Sequence, residues 1–350
     1  MTPTVHPADL AEQGPVLAAD AQVESPFLGV DLTGPPGDVE RLARIADGAD
    51  RILVGLGEFD PDWTPLVRAL SCTLVPAGRE TGPEVVGVDD PAAALAELHA
   101  AAGTNPQAAT VLAGLLRWSG ALPVHAALDA ESLAYSTLLG GPEFRVWLTR
   151  RGPRPLPPTV DEPVRIARAG RVLHLTLNRP ERRNAYGRQL RDALVAGLDL
   201  AVLDPDVEQV VIDGAGPAFC AGGDLDEFGT APDLATAHFV RTRAGAARPL
   251  HAVGERVEVR LHGPCVGAGI EVPAFAGRVV AAPDTTIRLP EVGMGLIPGA
   301  GGTVSLPRRI GRWRTLYLAL SGNACDAVTA LRWGVVDAIA ERGRADAHDP

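Results

Sequence analysis

Residues 262–271 read His-Gly-Pro-Cys-Val-Gly-Ala-Gly-Ile-Glu and follow a stretch at 255–261 in which apolar and charged residues alternate. Such alternation predicts a strand, and small residues after it let the backbone approach a ligand closely. A helix that begins at Gly267 would point its first N–H groups outward, where the helix dipole favours negative charge. The N–H groups of this segment therefore suit a developing oxyanion.

Two further Gly-rich segments follow predicted strands. Residues 216–225 read Gly-Pro-Ala-Phe-Cys-Ala-Gly-Gly-Asp-Leu, and residues 289–303 read Leu-Pro-Glu-Val-Gly-Met-Gly-Leu-Ile-Pro-Gly-Ala-Gly-Gly-Thr. Glu271 ends the segment at 262–271, and Glu291 lies in the segment at 289–303. Each has few other charges nearby. Two partly buried carboxylates that face one small site make each other harder to ionise, which suits proton transfer. From the residues alone, the alternative stays open that Glu271 caps a helix and Glu291 lies on the surface.

Residues 177–185, Leu-Asn-Arg-Pro-Glu-Arg-Arg-Asn-Ala, complete a set of four blocks. In order and spacing, these blocks resemble the consensus of the enoyl-CoA hydratase/isomerase (crotonase) family, and the resemblance covers residues 164–340. It implies that this half of the chain binds an acyl-CoA thioester and stabilises its enolate. Coenzyme A would be part of the substrate, with no separate cofactor and no metal.

The resemblance also implies a role for each matching residue. The backbone N–H groups of Ala221 and Ala268 match the oxyanion hole. Glu271 would position and deprotonate a water molecule and Glu291 would deliver a proton to C2, so that water adds across the double bond of a 2-enoyl-CoA. The other matches lie where substrate and coenzyme A would bind: Arg182, Arg183, Ala185, Gly222, Gly223, Asp224, Leu225, Gly267 and Gly299.

The sequence departs from the family pattern in several places. Ala268 stands where most relatives have Gly, Pro273 interrupts a helix, and the absence of Lys leaves the coenzyme A phosphates to Arg. The helices with which most relatives cover the site and build a trimer have no counterpart after Asp337, so the N-terminal region is the candidate cover. An isomerase, a thioester hydrolase, a cofactor-free oxygenase and a non-catalytic acyl-CoA-binding relative stay open as alternatives.

Composition limits the class of protein and its partners. The chain has 350 residues and a formal net charge of −11, and an acidic surface argues against a nucleic-acid partner. No apolar run reaches the length that a membrane helix needs, and the N-terminus lacks the pattern of a signal peptide. We expect a cytoplasmic homo-oligomer, a trimer or a multiple of it, whose substrate is the acyl-CoA.

Strands alternate with helices along the chain, which predicts an α/β protein. We expect a loose tail at 1–22, a small α/β accessory domain at 23–150 and a Pro-rich linker at 151–163. A crotonase-like β-β-α spiral core would follow at 164–340, with a polar tail at 341–350. The Pro-rich stretch could also be a tight surface loop within one domain. Within the accessory domain we predict strands near 51–56 and 85–88 and helices at 91–102, 105–118, 126–139 and 143–149.

Overall fold

The computed structural model describes residues 2–342 and divides into two compact units. The first unit contains residues 2–153 together with Leu289–Gly299 and Leu306–Asn323. The second contains Arg154–Arg288, Ala300–Ser305 and residues 324–342. The first boundary lies inside the stretch predicted as a linker. The predicted polar tail lies outside the described residues from position 343 onward.

A parallel sheet forms the centre of the first unit, with its five strands in chain order. All but the last residue of the second, third and fourth strands are buried, as expected when both faces of a parallel sheet are covered. Trp63, Leu66 and Leu70 belong to the apolar cluster that packs on the sheet. The strands are β1 (Thr4–Val5), β2 (Phe27–Asp31), β3 (Ile52–Leu56), β4 (Cys72–Pro76) and β5 (Val85–Val88).

Six helices accompany this sheet, and their starts follow the sequence signals. Pro91 opens a helix whose cap is Asp90: its Oδ1 accepts the N–H groups of Ala92 and Ala93, both at 3.0 Å. The four helices predicted between 91 and 149 are confirmed, each with ends shifted by up to two residues. The helices are α1 (Val39–Asp47), α2 (Thr64–Ala69), α3 (Pro91–Thr104), α4 (Pro106–Ser119), α5 (Val124–Leu139) and α6 (Pro142–Arg151).

The stretch predicted as a loose tail makes specific contacts instead. Strand β1 pairs in parallel with β2, and Leu10 and Val16 are buried. A two-residue strand and isolated apolar contacts leave no periodicity in the sequence, so this order could not be detected there.

The second unit contains two sheets. The larger has the order β14-β11-β9-β8-β7-β6 and is parallel except for the β6–β7 pair, and the smaller has the order β10-β12-β13. The strands are β6 (Val164–Ala169), β7 (Val172–Leu177), β8 (Gln209–Gly214), β9 (Val257–Leu261), β10 (Pro264–Val266), β11 (Arg278–Ala281), β12 (Thr286–Arg288), β13 (Cys325–Asp326) and β14 (Ala338–Ile339).

Helices connect these strands, and one of them is broken. Gly311, with φ of 79° and ψ of 157°, separates two helical pieces within α11 (Gly302–Ser321). None of the helices between residues 2 and 342 combines the length and apolarity needed to cross a bilayer. The helices are α7 (Arg188–Leu203), α8 (Leu234–Arg243), α9 (Ala247–Val253), α10 (Ala268–Glu271), α12 (Ala327–Trp333) and the broken α11 (Gly302–Ser321).

Candidate active site

Two loops of the second unit run side by side with matched turns. The backbones of Cys220 and Cys265 pair as an isolated parallel β-bridge. The N–H of Val266 donates to the carbonyl oxygen of Cys220 at 3.0 Å. Two residues further on, both loops turn through the left-handed region, at Gly222 (φ 101°) and Gly267 (φ 49°). A side chain would be strained in either conformation, which explains glycine at both positions.

Gly223 and Ala268 follow these turns. Each lies three residues after its cysteine of the β-bridge, so the two positions correspond. Ala268 is the first residue of α10, so its N–H has no acceptor within the helix. Within residues 2–342, neither this N–H nor that of Gly223 has a hydrogen-bond acceptor. The N–H of Ala221, in contrast, donates to the carbonyl oxygen of Arg183 at 2.9 Å. Ala221 therefore has no N–H to offer an oxyanion, and the N–H of Gly223 is the candidate second donor.

Glu271, at the end of α10, is 2% exposed and holds the start of α11. Its Oε2 accepts the N–H groups of Ala300 (2.7 Å) and Gly302 (3.0 Å), and the hydroxyl of Ser305 donates to its carbonyl oxygen (2.8 Å). The helix-capping alternative is thus realised, at the N-terminus of α11. Two N–H donors near a helix N-terminus stabilise a carboxylate as the anion. These surroundings suit a group that accepts a proton or orients water.

Glu291 belongs to the first unit and has the opposite surroundings. It begins a short 3-10 turn, Glu291–Met294, and is 8% exposed, which excludes a surface position. Its Oε2 has no hydrogen-bond partner among the residues described. Burial, assisted by the nearby carboxyl group of Glu131, raises the pKa of Glu291 to about 8. At neutral pH this side chain therefore keeps its proton and can donate it.

N-terminal helices hold the segment that contains Glu291. The side-chain amide of Asn105 donates to the carbonyl oxygen of Val292 at 2.9 Å. Gly295 lies so close to Glu143, at the start of α6, that a Cβ would clash with it, and its φ of 72° also favours glycine. Gly299, also predicted as a site residue, lies directly against the ring of Tyr135 on α5. The sequence prediction did not include these helix contacts, because no local signal links residues so far apart.

Arg182 and Asp224 bind each other. The Nε and Nη2 atoms of Arg182 donate to the two carboxylate oxygens of Asp224 at 2.9 and 2.7 Å, and Nη2 also donates to Asp226 at 2.8 Å. Two carboxylates thus neutralise this guanidinium, which leaves little charge for a phosphate. Asp224, which is buried, also caps the 3-10 turn Leu225–Glu227. Both residues stabilise the loop, and the predicted phosphate contact of Arg182 has no support in the structure.

Arg183 is exposed, and its guanidinium has no partner within the described part of the chain. Asn184 and Ala185 follow it, and the sequence prediction gave Asn184 no role. Asn184 is buried at φ 53°, where its side-chain amide donates to the carbonyl oxygens of Ala215 and Ala218, both at 2.9 Å. Asparagine tolerates the left-handed region, which was the available signal. Asn184 thus ties the turn that presents Arg183 and Ala185 to the loop that leads to Gly222.

A small apolar pocket with about 20 Å³ of free volume lies beside Ala268 in the second unit. No charged side chain lines it. The hydroxyl group of Tyr186 accepts the N–H of Ala246 at 3.2 Å, so this polar atom already has a partner. The free volume is that of about one water molecule, so the pocket is too small for an acyl chain. Its lining residues are Leu177, Tyr186, Leu190, Leu194, Ile212, Phe219, Cys220, Leu250, Val259, Ala268, Val272 and Pro273.

Comparison with known proteins places this site in a family context. Residues 167–345 match the family model described as enoyl-CoA hydratase/isomerase. The chain is 36% identical over 174 residues to 2,3-dehydroadipyl-CoA hydratase of Escherichia coli K12, a match that covers 50% of this chain and 68% of that protein. It is also 36% identical over 170 residues to 1,2-epoxyphenylacetyl-CoA isomerase of the same strain, with 47% and 64% covered. The crystal structure of enoyl-CoA hydratase from Thermoplasma volcanium GSS1 is similar at 32% identity and a TM-score of 0.48, with 52% and 73% covered.

Proposed function

Because the chain belongs to the enoyl-CoA hydratase/isomerase family, we propose that it adds water across the 2,3 double bond of an enoyl-CoA. The family resemblance found in the sequence is confirmed, as is the α/β class with a crotonase fold in the C-terminal half. The observation that carries the proposal is the contrast between Glu271, held by N–H donors, and Glu291, buried and protonated. Carboxyl groups whose surroundings separate their proton affinities can divide the work of acid and base.

In the proposed reaction, the thioester oxygen accepts the N–H groups of Gly223 and Ala268. Glu271 removes a proton from water as the water oxygen forms a bond to C3. The electron pair of the double bond moves toward the thioester, and the two N–H groups stabilise the resulting enolate oxygen. Glu291 then transfers its proton to C2, which completes the addition of one water molecule. Glu271 ends protonated and Glu291 ionised, and a proton transfer after product release restores both.

The exposed Arg183 is the predicted residue that is available for the coenzyme A phosphates.

The contribution of Arg183 can be measured directly. We expect Arg183→Ala to raise the Kd for coenzyme A about 3- to 10-fold, the loss of one charge-assisted contact. Isothermal titration calorimetry at low and high salt would measure it, with Arg165→Ala on strand β6 as the exposed control. An unchanged Kd would remove Arg183 from the binding site.

The reaction itself is tested with crotonyl-CoA. We expect the absorbance of the conjugated thioester to fall with time, and mass spectrometry to show a product heavier by one water. A longer uncharged enoyl-CoA and 2,3-dehydroadipyl-CoA serve as comparison substrates. Absence of hydration with all three substrates would rule out the proposal.

An isomerase that moves the double bond is the second candidate, because the matching family model is described as both hydratase and isomerase. Moving a double bond changes no mass, so the product of a 3-enoyl-CoA would keep the substrate mass while conjugation appears. A product of unchanged mass from every substrate would favour isomerisation over hydration.

A further inference from the structure

We propose that Asn105, at the junction of α3 and α4, is a positioning residue for Glu291, because its side-chain amide holds the backbone turn that presents this carboxyl group. Asn105 lies outside residues 167–345, which match the family model. Its Nδ2 atom donates to the carbonyl oxygen of Val292 at 2.9 Å, in a buried hydrogen bond. This hydrogen bond is a property of the fold, whereas its effect on catalysis rests on the proposed hydration reaction.

The turn that carries Glu291 is short and depends on contacts from outside. It is a single 3-10 turn, Glu291–Met294, and so short a turn does not persist in water by itself. The carbonyl oxygen of Val292 accepts the N–H of Gly295 from within the segment at 3.0 Å, and Nδ2 of Asn105 from outside it. The bond from Asn105 therefore fixes the backbone one residue after Glu291.

The N-terminus of α4 shows an exchange of roles that accounts for this contact. Asparagine is among the residues most favoured at the N-cap, where its side chain usually accepts an N–H of its own helix. Asn105 holds the N-cap position of α4, yet its side chain makes no capping hydrogen bond. The carboxylate oxygens of Glu143, on α6, accept the N–H groups of Gln107 and Ala108 instead, at 2.7 and 3.0 Å. Because Glu143 caps the helix, the amide of Asn105 can bind Val292.

Glu143 also contacts the far end of the turn. A Cβ added to Gly295 would lie 2.6 Å from the Cβ of Glu143 and from the backbone nitrogen of Phe144, so the two backbones are in direct contact. Helices α3 and α6 both contact the turn. The segment is thus held at Val292 and at Gly295 by residues that precede the family match. Loss of either contact should let the turn move and carry the carboxyl group of Glu291 with it.

Hydrogen–deuterium exchange with mass spectrometry tests the hold on the turn without any substrate. Asn105→Asp keeps the shape of the side chain but has no amide N–H to donate, and aspartate is a favoured N-cap, so α4 should stay folded. We expect the N–H groups of Gly293, Gly295 and Leu296, which are hydrogen-bonded within the segment, to exchange about 3- to 10-fold faster than in the wild type. Asn323→Asp, the matched exposed substitution, should leave this exchange unchanged.

Steady-state kinetics with crotonyl-CoA test the effect on the acid. We expect kcat to fall about 10-fold in Asn105→Asp, because a displaced Glu291 delivers its proton to C2 less well. KM should change less than about threefold, since the loops that would bind the thioester and coenzyme A are untouched. A residue that only stabilised the fold would lower the Tm and leave the kcat of the folded enzyme unchanged. Asn323→Asp should keep the wild-type kcat.

Glu143→Gln is a second variant, which serves also if Asn105→Asp does not fold. Glutamine can accept only one of the two N–H groups at the start of α4, so the helix then competes for the side chain of Asn105. We expect the same segment to exchange faster and kcat to fall in the same direction. Wild-type exchange and kcat in Glu143→Gln would contradict the exchange of roles between the two side chains.

The outcomes separate this inference from the proposed function. Unchanged exchange at residues 293–296 in Asn105→Asp overturns the inference, whatever the activity. Faster exchange together with a wild-type kcat overturns the positioning role of Asn105 and leaves the hydratase intact. Faster exchange in a chain whose wild type hydrates no enoyl-CoA supports the hold on the turn and rules out the hydratase alone.

Discussion

Glu271→Gln and Glu291→Gln should each lower the kcat for hydration about 10²- to 10⁴-fold, the usual contribution of a general acid or base. Glutamine keeps the size of the side chain but can neither take a proton from water nor give one to C2. Steady-state kinetics with crotonyl-CoA would measure the loss. Because neither substitution changes the loops at Gly223 and Arg183, we expect the Kd for coenzyme A to stay within about threefold of the wild-type value.

Exposed glutamates provide matched controls for the two variants. Glu255→Gln in the second unit and Glu97→Gln in the first remove the same charge and should leave kcat unchanged. Wild-type kcat in either Glu271→Gln or Glu291→Gln would contradict the role of that glutamate. If both variants stayed active, hydration would have to use groups other than these two glutamates.

The stability of Glu291→Gln distinguishes lost chemistry from lost structure. Since burial raises the pKa of Glu291 from 4.5 to about 8, ionising it costs folded stability as pH rises through that interval. Glutamine bears no such cost. We therefore expect the variant to have a wild-type Tm near pH 5 and a higher Tm than wild type above pH 8, while it is inactive at both. A lower Tm for the variant than for wild type at pH 8.5 would show that the fold stabilises the ionised Glu291, which contradicts a raised pKa.

The sequence predicted those parts of the site that local chemistry determines. Gly222 and Gly267 mark positions where the backbone has a positive φ, which favours glycine. The two glutamates are recognisable as charges within apolar, Gly-rich segments. The helices from α3 to α6 were also predictable, because Pro91 and Asn105-Pro106 mark starts that no tertiary contact overrides. In each case a residue type has one dominant physical reason to occupy its position.

The features of the site that could not be predicted from the sequence depend on contacts between residues that are distant along the chain. The N–H groups of Ala221 and Gly223 are chemically alike, and only the carbonyl oxygen of Arg183 decides which one is available. Glu131 lies in a stretch of Ala, Leu and Ser with an ordinary helical pattern, so its burial leaves no local trace. Residues 289–299 likewise join the first compact unit although the family blocks on either side belong to the second.

Ala268→Pro should lower kcat about 10²- to 10³-fold, because proline removes one of the two N–H groups proposed to hold the enolate oxygen. The position tolerates the ring: Ala268 is the first residue of α10, where its N–H has no helical acceptor. Gly267 has ψ of −120°, outside the α region that a following proline disfavours. The substitution therefore removes a donor without breaking a hydrogen bond of the fold.

Ala268→Gly is the matched control, since it keeps the N–H and removes only the methyl group. We expect it to retain kcat within about threefold, and both variants to unfold within a few degrees of the wild-type Tm, as substitutions at a tolerant site do. In Ala268→Pro, kcat should change more than KM, because the contact strengthens as charge develops on the thioester oxygen. If Ala268→Pro folded and kept wild-type kcat, the enolate would have to be held elsewhere, and the aligned turns at Gly222 and Gly267 would serve the backbone alone.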